Sequence, residues 1–210
     1  ESARRTIERY RTDAGLYRVW LAPDDEYRCF YSKHSGRESN PVDVAVQMHV
    51  LLLFARDDPA AARRLCDALG SRMTDERIWV YYEVAPFIPR LREADLALAG
   101  CPLRVPEARL REQPRGQEPY LELAALRRQF LLHEDPETPR AAVLQTLALL
   151  ATGDFAGVGR TPPLVYHNDL TATPPHFHWS TDIGYALWLR SYVDTMHRSS
   201  AGASLTTARH

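Results

Sequence analysis

The chain has 210 residues, 45% of them hydrophobic and 25% charged, the proportions of an ordinary globular protein with room for one sizeable core. Its 26 Lys plus Arg against 27 Asp plus Glu leave a formal net charge of −1, which argues against bulk nucleic-acid binding and against a basic membrane-binding patch. Cys29, Cys66 and Cys101 show no Cys-x-x-Cys spacing; Cys66 and Cys101 read as small buried hydrophobes, and the chain as one from a reducing, cytoplasmic setting.

In chain order, Ala3 to Thr12 reads as a short polar helix stopped by Gly15. Tyr17, Val19 and Leu21 then alternate ahead of Pro23, an extended arm with apolar anchors. The acidic run Asp24-Asp25-Glu26 directly after that proline is a solvated turn. Asn40 as N-cap and Pro41 as first helical residue predict a helix through Ala55. That helix is apolar on nearly every side, so other helices must enclose it; Asp43, Gln47 and His49 are its polar exceptions. Asp57-Asp58-Pro59 ends it and starts an amphipathic helix with Ala62, Leu65, Cys66 and Leu69 on one stripe, closed by Gly70.

A further helix is expected from about Tyr82 to Gly100, kinked at Pro86 and Pro89. After a connecting loop from Cys101 to Glu118 come helices over Pro119–Leu132 and Arg140–Thr152, the second ended by Gly153. The last helix starts at Ser180 or Thr181, and the tail 199–210 reads as disordered. No strand-and-turn rhythm stands out and no run reaches ~18 uninterrupted apolar residues. The fold class is therefore all-α, in a single domain over 1–198, with no membrane span.

The stretch Thr161 to Arg190 gathers most of the chemistry. It holds His167, His176, His178, Asp169 and Asp182 beside Tyr166, Trp179 and Trp188. A histidine next to a carboxylate in a partly desolvated aromatic pocket can act as acid or base near neutral pH; His167 with Asp169, or His178 with Asp182, suits that role. Tyr81, Tyr82, Tyr166, Trp179 and Trp188 are candidates to pack an apolar ligand or stabilise a developing positive charge. The same residues allow a metal reading, with His167, Asp169, His176 and His178 around zinc or iron, although their spacing matches no well-attested metal pattern. They also allow a plain one: a surface loop pinned by prolines, with Trp179, Tyr185 and Trp188 as packing and Asp182 complementing the start of the last helix.

A buried helix, a tight turn and an amphipathic helix recur in NPVDVAVQMHVLLLFARDDPAAARRLCDALG, WVYYEVAPFIPRLREADLALAG and HFHWSTDIGYALWLRSYV. This pattern, over roughly residues 15 to 197, resembles the helical hairpins of the α/α-toroid proteins, the terpenoid cyclase and protein prenyltransferase group. The Asp-x-Asp-Asp and Asp-Asp-x-x-Asp motifs of those cyclases and the zinc ligands of the prenyltransferases have no counterpart here. The resemblance implies a partial α/α toroid whose buried helices stand innermost. It would bring Asp43, Glu83 and Asp182 to one mouth, near the loop carrying His167, Asp169, His176 and His178. The implied activity is cyclase-like lyase or isomerase chemistry, or a transfer, on a hydrophobic small molecule of isoprenoid or polycyclic type, without a cofactor. The competing expectation is a binding or assembly module whose incomplete ring is completed by a second copy or a protein partner across an exposed apolar patch.

Overall fold

In a computed structural model the described residues are 3–32, 36–134 and 139–206, the side chains of 30, 31 and 198–206 excepted. Among them the chain is mostly helical, in agreement with the all-α expectation. The helices are α1 (Ala3–Glu8), α2 (Asp24–Glu26, continuing as a π-turn over Tyr27–Tyr31), α3 (Val44–Asp57), α4 (Pro59–Gly70), α5 (Phe87–Leu98), α6 (Glu107–Arg111), α7 (Glu118–Leu132), α8 (Pro139–Arg160) and α9 (Thr181–Thr206). A hairpin of β1 (Leu164–His167) and β2 (Phe177–Trp179) interrupts the helices inside the chemistry-bearing stretch, where no strand was expected.

Where a single domain was expected, the backbone contacts group into two compact units: Glu1–Pro114 with Val165–His178, and Arg115–Leu164 with Trp179–His210. In the first, α3 is the centre, packed against α4 and α5. Its residues Val44, Met48, Leu51 and Phe54 are fully enclosed, with Leu65, Leu69, Trp79 and Leu96 in the same core. Each such side chain contributes about 1.5–3 kcal/mol by leaving water, and the indole N–H of Trp79 is satisfied by the Met73 carbonyl at 2.9 Å.

The start of α3 differs from the sequence reading. Asp43, not Asn40, is the N-cap, and its Oδ1 accepts from the Ala45 N–H at 2.9 Å. Asn40 is buried and staples the preceding arm, donating to the carbonyls of Trp20 and Ala22 and accepting from the Trp20 N–H. The turn into α4 is as read: Asp58 caps both helices, and Pro59 takes the first position, where no N–H is missed. The helix expected from Tyr82 begins only at Phe87. Pro86 sits at its N-cap and Pro89 in its first turn, so neither proline breaks a hydrogen-bonded interior and no kink is needed.

Cys66 and Cys101, expected as free buried thiols, form a disulfide across 35 residues, with Cα atoms 5.8 Å apart. Both α4 and α5 pack on α3, which brings the end of the α5 turn beside the middle of α4. Spacing along the chain carried no trace of that meeting. Cys29 is free and exposed.

The second unit is built from α7, α8 and α9, with Tyr120, Leu123, Val143, Leu147, Leu150 and Leu187 buried. Gln117 ties its edge by accepting from the Leu164 N–H and donating to the Pro162 carbonyl. By length and composition α8 could cross a membrane. However, Thr152 to Phe155 leave helical geometry, with positive φ at Gly153, Asp154 and Phe155. The straight part therefore ends at Ala151, only about 20 Å from its start at ~1.5 Å per residue, against a hydrocarbon core of ~30 Å. Helix α9 continues to Thr206, past Ser199 where the sequence reading placed a disordered tail; positions 207–210 of that tail lie outside the described residues.

Candidate functional site

The polar groups that come together in the first unit are those around residues 81 and 167. Asp43 is completely buried, and its second carboxylate oxygen accepts from the Tyr81 N–H at 3.0 Å. The Tyr81 carbonyl in turn accepts from the His167 N–H at 3.1 Å. One irregular residue, in the segment before α5, thus joins the start of α3 to β1. The Tyr81 hydroxyl accepts from the Trp20 indole at 3.4 Å.

His167 has no exposed surface, and neither of its ring nitrogens has a hydrogen-bonding partner. Its ring lies 6.0 Å from that of Phe177. A buried polar group left unpaired costs about 1–3 kcal/mol, so this imidazole is held at a cost by its surroundings. Burial lowers its pKa from 6.5 to about 4, with Asp169 pulling it up and His178 pushing it further down. The ring is neutral at pH 7, with one nitrogen donating and one accepting. Asp43 is shifted the other way. Burial lifts it from 3.8 to about 7, opposed by the N–H groups of Tyr81, Ala45 and Val46 and by the Arg37 charge. Tyr81 and Tyr82 are raised as well, chiefly by burial, and Tyr82 senses both Asp43 and Tyr166.

Asp169 is buried but fully engaged. It is ion-paired with Arg37 and accepts from the Thr171 N–H at 2.8 Å and the Thr171 hydroxyl at 2.6 Å. It shapes the connection between β1 and β2. His178 and Tyr166 are exposed and stack on one another at 4.1 Å, and His176 is exposed too. The four residues of the metal reading thus divide between buried and exposed positions. Among the described residues no three His, Cys, Asp or Glu side chains gather as metal ligands.

Glu83 is half-exposed and belongs to a group of carboxylates around Arg109, 3.9 Å away, with Glu76 and Glu112. The other named residues lie in the second unit. Asp182 is in the first turn of α9, exposed, where a carboxylate complements the helix start. Trp188 donates to the Leu147 carbonyl at 2.9 Å and packs edge-on against Phe155. Trp179 is 45% exposed. The sequence reading missed Arg37 and Tyr27, the latter wholly buried, and took Trp20 as packing, whereas its indole also donates to the Tyr81 hydroxyl. Nothing in Arg37, one arginine among many, marks it in the sequence.

Known protein families, curated proteins and solved structures offer no match to this chain. The site therefore speaks through its own chemistry. It holds a neutral imidazole without partners, a carboxyl poised near neutral pH, the buried phenol of Tyr81 and the part-buried phenol of Tyr82. A cleft of about 650 Å³ elsewhere in the same unit is lined by Arg9, Arg11 and Arg18 with Asp13 and Asp24. Its mixed charge favours no single class of ligand.

Proposed function

We propose that this chain is an enzyme-type domain that handles a hydrophobic small molecule, of isoprenoid or polycyclic type, at the His167 site by acid–base chemistry. The observation that carries the reading is the enclosed His167 imidazole with both nitrogens unpartnered. Such a group is kept in a fold at a cost, and perturbed buried titratable groups concentrate at working sites. In this proposal one nitrogen accepts a proton from, or a hydrogen bond of, the ligand, and Asp43 is the second proton carrier. Tyr81, Tyr82 and Phe177 provide the apolar walls. The α3–α4 hairpin and the paired α7 and α8 support hairpins of the toroid type as the framework. Because His167 is closed off at rest, ligand enters when the Asn168–His176 connection lifts.

The test is a titration followed by NMR on protein carrying carbon-13 histidine, with the His167 resonance assigned through His167→Gln. Geranylgeraniol and cholesterol are the probes. The reading expects a saturable movement of the His167 resonance with at least one of them. If His167 stays still with both at saturating concentration, the proposed role is lost.

A further inference from the structure

Helix α9 has two faces. Leu187, Ser191 and Thr195, four residues apart, are buried within the second unit. On the other side Tyr185, Leu189, Tyr192, Val193 and Met196 are each between 37 and 57% exposed. Tyr185, Leu189, Tyr192 and Met196 follow steps of four, three and four, the spacing that keeps one seam facing a partner helix. Exposed large apolar residues scattered singly need no explanation, but a contiguous stripe marks an interaction surface.

We propose that this stripe is the interface of a homodimer, with α9 of a second copy of the chain as its occupant. The size of the patch points to that partner. Its five side chains leave a little over two side chains' worth of surface in water, roughly 430 Å² at ~200 Å² per large side chain. A standard interface buries ~800 Å² per partner, of which ~56–65% is apolar, or ~450–520 Å². The stripe supplies nearly all of that apolar share by itself, and the same helix of a second copy presents a seam of matching length and period in return. A two-fold axis then sets each residue against its counterpart on the other copy.

The aromatic members are already held in place. Tyr192 stacks on Trp188 at 5.3 Å and 6°, and Tyr185 meets Phe155 edge-on at 5.5 Å. Trp188 is itself fixed by its bond to the Leu147 carbonyl. Side chains that are ordered before association lose less entropy on docking, and tyrosines so fixed are frequent anchors of binding energy. The flank is polar: Arg190, well exposed, pairs with Asp194 at 3.0 Å, as expected at the rim of such a seam.

The experiment is sedimentation velocity on the full chain across a wide range of concentration. The wild type is expected to move from the monomer mass of 23.9 kDa to twice that value with micromolar affinity. Leu189→Glu and Val193→Lys, both at exposed positions and both checked by circular dichroism, should weaken association at least ~10-fold. Arg190→Ala at the rim should dimerise as the wild type does. A chain that remains monomeric throughout overturns the proposal. So does one whose dimerisation ignores both substitutions, or a monomer that instead transfers to phosphatidylcholine vesicles through the same stripe.

Discussion

At the scale of single residues, Asp43 and His167 make opposite demands on pH. Between the folded value of about 4 and the ordinary 6.5, folded His167 binds fewer protons than the unfolded chain. Its contribution therefore grows as pH rises through that window and is lost as pH falls. Between 3.8 and about 7, folded Asp43 holds a proton that the unfolded chain has released. Its contribution is present at low pH and lost as pH rises. Each group imposes a slope of at most ~1.4 kcal/mol per pH unit, so over their shared window the two offset and the wild type should be nearly flat. Asp43→Asn keeps a competent N-cap and removes one slope; its stability to urea should rise between about pH 4.5 and about pH 6.5. His167→Gln should show the reverse trend. Parallel slopes in the two variants would contradict the assignment. Sequence singled out both residues, Asp43 as a polar exception on an apolar helix and His167 inside a dense polar–aromatic stretch. It could not tell that Asp169 is engaged by Arg37, because that pairing joins residues far apart in the chain. Nor could it tell that His178 faces water beside Tyr166, since all three residues of β2 are exposed although two of them are large aromatics that read as core.

At the scale of elements, the close approach of α8 and α9 rests on glycine. A Cβ at Gly184 would stand 2.7 Å from Val158 Cγ1 and 3.0 Å from Pro163 Cδ. Neither neighbour yields easily, one being β-branched and the other a ring. Replacing a helical glycine with alanine gains ~1 kcal/mol in propensity, while overpacking costs ~1–3 kcal/mol. Gly184→Ala should therefore lower stability, by about 1 kcal/mol and ~2–4 °C in Tm. Gly159 is the contrast: its added Cβ would meet only the Tyr185 hydroxyl at 4.0 Å. Gly159→Ala should leave Tm unchanged or raise it by up to ~4 °C, and differential scanning calorimetry on the two variants separates local crowding from any general dislike of substitution. The helices themselves were legible because their signals are local. Asp58-Pro59 marked the α3–α4 turn, and Gly153 marked the break in α8. The β hairpin was not, since its two short strands lie among prolines and pair only with one another. The start of α5 was misread because Pro86 and Pro89 suit a first turn as well as a kink, and only the tertiary position of Tyr81 decides between them.

At the scale of the whole molecule, the cysteines carry the sharpest consequence. An odd count without a local motif suggested free thiols, but α3 gathers α4 and α5 and so sets Cys66 against Cys101. Denatured without reductant, the chain should take up one alkylating label, on Cys29; after reduction it should take up three. Three labels without reductant would show that the bond does not form in the protein as produced. Where the bond is present, it closes a loop of 35 residues, and loss of a cross-link of that size costs ~2–4 kcal/mol through the freedom returned to the unfolded chain. Reduction should then lower the unfolding midpoint and raise amide exchange in α4 and α5, the elements the bond ties. Cys66→Ser with Cys101→Ser should reproduce the reduced protein and make it insensitive to reductant. Persistent sensitivity in that double variant would place the redox effect on Cys29 instead. Because disulfides persist in oxidising compartments and are rare where glutathione keeps thiols reduced, the same labelling, done on protein drawn directly from its source, weighs the cytoplasmic expectation against an oxidising one.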